Sequence, residues 1–73
     1  MDRKTVGRRL RSWIVDAGMS QEQFAEQIGV GYGTVKSWAY GTRPIPFDRA
    51  YEICELFNKP LDELACRENK LGR

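Results

Sequence analysis

The stretch IGVGYGTVKSW, Ile28 to Trp38, sets Gly29, Gly31 and Gly33 at alternate positions. Gly-x-Gly-x-Gly is how a phosphate-cradling loop can look, its backbone N–H groups pointing at the anion. Such a loop needs a buried strand ahead of it and, in its P-loop form, Gly-Lys-Ser/Thr. Neither is present. The other reactive groups are the thiols of Cys54 and Cys66, in a chain with no histidine. No base is evident to activate either thiol, and a zinc site would need carboxylates, which structural sites rarely use. A disulfide is disfavoured in a cytosolic chain, so both are read as ordinary small, partly buried cysteines. No carboxylate pair has room for a cavity around it in 73 residues. The chain is therefore expected to be no enzyme, with no metal, no cofactor and no small-molecule substrate.

The cations are more informative. Formal net charge is only +2, but it is unevenly spread. Arg3, Lys4, Arg8, Arg9 and Arg11 face a single acid, Asp2, in residues 1–11. Asp16, Glu22 and Glu26 follow without a cation in residues 12–28, and then Lys36 and Arg43 without an acid in residues 29–46. Two separated basic segments form a patch for a polyanion if the fold brings them together. No apolar run is long enough to span a membrane. The start, MDRKTVGRRLRSW, is basic but lacks the apolar core and cleavage site of a signal peptide. A cytoplasmic location is the expectation.

Helical periodicity supplies the elements that must position these groups. Val6, Leu10, Trp13, Ile14 and Ala17 recur on one face, predicting an amphipathic helix from about 4 to 17 that stops at Gly18. Ser20 with Gln23 is a capping box for a second helix whose apolar face is Phe24, Ala25 and Ile28. Gly29 ends it near residue 28. A third, short helix spans about 32–39 on Val35 and Trp38 and stops at Gly41. The turn GTRPIP follows, with Pro46 suited to the first turn of a fourth helix carrying Phe47, Ala50, Tyr51, Ile53, Cys54, Leu56 and Phe57. After the break at NKP, Leu61, Leu64 and Ala65 make a short fifth helix. Residues 1–66 read as one domain and 67–73 as a polar tail. Trp13, Phe24, Trp38 and Phe57 are expected in the core.

A capped helix, a tight glycine turn and a second short helix is the layout of a helix-turn-helix. MSQEQFAEQIGVGYGTVKSWAYGTRP resembles that motif in the Cro and lambda-repressor (XRE-type) regulators, matching at Ser20, Gln21, Phe24, Ala25, Gly29, Val30, Thr34, Val35, Trp38 and Gly41. The likeness extends over roughly residues 5–65, including LDEL at Leu61–Leu64. It implies an all-α, five-helix, lambda-repressor-like DNA-binding domain with its helix-turn-helix at helices 2 and 3. It departs from the pattern where the family places an arginine in the first helix and a glutamate in the third. Ile14 and Ala39 stand there instead, both partners missing together, and are expected to pack near one another. Gly31 takes the place of the usual N-cap serine, and Gly33 lies inside the first turn of the third helix.

The resemblance further implies a sequence-specific regulator, a bacterial or phage repressor of Cro type, whose partner is an operator in double-stranded DNA. Tyr32, Gly33, Lys36 and Ser37 fall at base-facing positions. Gln21, Thr34, Thr42 and Arg43 fall at backbone-facing ones, with Arg8, Arg9 or Arg11 as possible additions. Relatives bind as two-fold dimers, so a homodimer on DNA is expected, using the fourth-to-fifth helix region or the tail through Leu56, Leu61 or Leu71. SWAYGTRPIPFDRA also loosely resembles small prophage antitoxin-like proteins. That leaves a protein-interaction module of the same fold as the alternative.

Overall fold

The computed structural model describes residues 3–64. Five helices follow one another: α1 (Arg3–Asp16), α2 (Gln21–Ile28), α3 (Tyr32–Ala39), α4 (Phe47–Phe57) and α5 (Leu61–Leu64). Among the described residues there is no strand. Cys66, Leu71 and the expected tail lie outside this range.

Each boundary has a local cause. Ser20 takes an extended backbone, its Oγ accepts from the Gln23 N–H at 3.0 Å, and Gln23 Oε1 accepts from the Ser20 N–H at 2.8 Å. That is the complete capping box, and it satisfies two donors that the first turn leaves without partners. At the other end Gly29 turns left-handed at φ 77°, and its N–H and that of Val30 both donate to the Ala25 carbonyl. A side chain would strain that conformation, which is why the turn needs glycine. Pro46 sits one position earlier than expected. It is the N-cap of α4, with extended backbone, and the helix begins at Phe47. A proline N-cap offers no side-chain acceptor, so the Asp48 carboxylate accepts the Arg49 N–H instead, at 3.0 Å.

The core is one cluster drawn from all five helices: Val6, Leu10, Trp13 and Ile14 of α1, Phe24 and Ala25 of α2, Val35 and Trp38 of α3, Ile53 and Cys54 of α4, and Leu64 of α5. Phe57 is half-buried at its edge, stacked on Phe24 with centroids 5.6 Å apart and edge-on to Trp13 at 5.9 Å. Ile14 and Ala39 are both fully buried, on helices that pack together, so neither position has room for a solvated charge. The broadly apolar α4 is only partly used. Phe47 is 73% exposed, and Tyr51 and Leu56 also reach solvent.

Two close contacts fix how the helices cross. A Cβ added at Gly7 would stand 2.5 Å from the carbonyl oxygens of both Trp38 and Ala39. The bare backbone of α1 therefore lies directly against the C-terminal end of α3. Arg49 of α4 donates through Nη1 to the Ile28 carbonyl at 3.2 Å and to Glu52 at 2.8 Å. It thereby serves an acceptor that the last turn of α2 leaves open.

Candidate nucleic-acid interface

α3 shows one face to the core and another to solvent. Val35, Trp38 and Ala39 are buried; Tyr32, Gly33 and Lys36 are exposed, and Ser37 and Thr34 are half-buried. A helix advances about 100° per residue, so Tyr32 and Lys36 lie one above the other on the outer face. They are not independent. The Lys36 ammonium stands 5.6 Å from the centroid of the Tyr32 ring, within cation–π range. The pair presents an aromatic edge, a hydroxyl and a cation as one unit. Gly33 sits beside it. A Cβ added there meets nothing within 4 Å, and the backbone is not in the left-handed region. Neither packing nor conformation asks for glycine at 33.

The loop after α3 is held from within. The Ser37 carbonyl accepts from the Thr42 N–H at 3.0 Å, the Arg43 N–H at 3.3 Å and the Thr42 hydroxyl at 3.2 Å. Thr42 thus spends its proton on the loop, and the exposed Arg43 guanidinium is the donor left facing outward. Gln21 opens α2 half-buried, at the end where free N–H groups and the helix dipole favour an anion.

Sequence reasoning left open which arginines of α1 share this side. Lys4, Gly7 and Arg11 form a stripe at spacings of three and four, and Gly7 is the residue pressed on α3. Arg11 follows that stripe, its guanidinium carbon 5.0 Å from the centroid of the Tyr40 ring at the end of α3. Arg9 falls on the opposite flank of the helix by the same geometry. Neither Tyr40 nor Gly7 was singled out from the sequence. The available signal was the i, i+4, i+8 spacing of Tyr32, Lys36 and Tyr40.

Residues 10–64 match the helix-turn-helix family. The chain belongs to the XRE-type helix-turn-helix family. A solved structure described as the clp gene regulator ClgR from C. glutamicum superimposes with a TM-score of 0.79 at 20% identity, covering 90% of this chain and 86% of that one. At that identity the likeness concerns the fold, which is the same all-α arrangement. Comparison with curated proteins gave no match. Membership in the helix-turn-helix family supports a DNA-binding transcription regulator and a role other than catalysis. Among the described residues no helix is long and apolar enough to cross a membrane.

Proposed function

We propose that this helix-turn-helix protein is a sequence-specific regulator in the cytoplasm, a phage or bacterial repressor of Cro type. It lays α3 in the major groove of a palindromic operator and blocks a promoter by occupancy. The observation that carries the reading is the exposed face of α3, where Tyr32 and Lys36 form a paired reading unit on a helix buttressed by α1 and α2. Lys36 donates to guanine O6 or N7, Tyr32 meets a thymine methyl or a base edge, and Ser37 adds a weaker contact. Gly33 lets the backbone of α3 approach the bases closely. Gln21, Thr34 and Arg43 hold phosphates, and Thr42 fixes the loop that presents Arg43. Two copies act together through the α4–α5 region, where Leu56 is 40% exposed and Leu61 half-buried.

Selection from randomised duplex DNA with the purified protein tests this reading. A preferred sequence should be enriched, and the enrichment should disappear with Lys36→Ala and Arg43→Ala. Enrichment of nothing, or enrichment indifferent to both changes, contradicts it. The second reading, an antitoxin-like protein-interaction module, is favoured by the exposed Phe47 and Tyr51 of α4. A module of that kind would keep its protein partner after losing both Lys36 and Arg43.

A further inference from the structure

We propose that Arg11 and Tyr40 together form a phosphate-holding site at the C-terminal end of α3, taking one backbone phosphate of duplex DNA. The inference rests on the reading of α3 as the groove helix and adds a contact made by a different helix.

Tyr32, Lys36 and Tyr40 are spaced by fours, so the outer face of α3 continues to Tyr40, which is 52% exposed. The eight residues of α3 run about 12 Å at about 1.5 Å each, and the major groove is about 12 Å wide. With the N-terminal residues at the base edges, the far end of the helix meets the sugar–phosphate wall. Tyr40 stands there.

That end is a poor place for an anion unless cations are supplied, because the last carbonyls of a helix carry its negative pole. The fold supplies one from outside the motif. Gly7 allows α1 to lie against the carbonyls of Trp38 and Ala39, and one turn further along α1 Arg11 comes over the Tyr40 ring. The ring holds the guanidinium by a cation–π contact, its central carbon 5.0 Å from the ring centroid. Arg11 Nε is buried without a hydrogen-bond partner, and among the described residues no carboxylate pairs with the side chain. A guanidinium held on an aromatic ring, with no carboxylate partner among the described residues, suits a phosphate.

The test is the salt dependence of binding to the selected duplex. Each phosphate contact contributes about 0.9 to the slope of log K against log salt. Arg11→Gln should lower the slope by about that amount, so its affinity deficit relative to the parent shrinks about threefold between 50 and 200 mM salt. Arg11→Met, which keeps the stem over the ring, carries the same expectation if the glutamine variant folds poorly. Tyr40→Phe keeps the ring and should keep the parent slope. Folded Arg11 variants with the parent slope would show that Arg11 only packs on α3, and would overturn this proposal alone. A parent protein that binds no duplex would overturn the groove reading and this site with it.

Discussion

Gly33 has no structural reason to be glycine, because a Cβ there meets open space and the backbone is ordinary helix. Alanine at 33 should therefore stabilise the fold by about 1 kcal/mol, the cost of glycine in a helix, while weakening DNA binding if α3 sits close to the bases. A thermal melt and a binding titration on the same sample read both signs. The reverse holds at Ala39, where burial is complete. Ala39→Glu places a charge with no partner in the core and should cost about 3–5 kcal/mol. An unchanged melting temperature would contradict this, and adding Ile14→Arg should return part of the loss as a coupling in a double-mutant cycle. Cys54 is buried, and burial together with the nearby Glu63 carboxylate raises its thiol pKa. The folded state thus holds its proton to higher pH than the unfolded chain does. Its contribution is present below the ordinary thiol range and is lost as pH rises through and above that range. Stability curves for the parent and Cys54→Ala should accordingly converge on the alkaline side.

The helices differ in how far their placement can be foreseen. The box of Ser20 and Gln23 is local, three residues apart, and its sequence pattern carries its geometry. The bounds of α2 and α3 were legible for the same reason, and the cap at Gly31 through the family resemblance. Ser20→Ala should cost about 1 kcal/mol, seen as a lower urea midpoint with an unchanged slope. What joins distant segments was not legible. Nothing in the spacing of α4 says that Arg49 will reach the Ile28 carbonyl, or that Phe47 and Tyr51 will stay outside while Ile53 goes in. Gly7 reads as a poor helix former inside an arginine-rich run. Only the crossing of α1 over α3 shows that a methyl group there would meet two carbonyl oxygens at 2.5 Å. Gly7→Ala should therefore destabilise by about 1–3 kcal/mol, as overpacking does, although alanine is the better helix former. An alanine variant as stable as the parent would mean that α1 can shift without cost.

Across the whole molecule, several cations cluster around α3. Lys4 packs at Gly41 and Arg11 at Tyr40, while Lys36 lies on α3 and Arg43 in the loop that follows it. α4 carries Asp48, Glu52 and Glu55, with Arg49 among them paired to Glu52 at 2.8 Å. A duplex approaching those cations around α3 should be steered toward that helix. A single domain of this size makes few contacts on DNA, so two copies on one duplex should bind much more tightly than one. Two half-sites about 10–10.5 base pairs apart should show that gain; moving them by half a helical turn should remove it. Position 33 adds a last consequence. Since the surrounding protein is indifferent to the residue there, a library randomised at 33 should stay folded nearly throughout, so that differences in target preference among its members report the DNA alone. If α3 is the groove helix, a lineage could change its target at that position without putting the fold at risk.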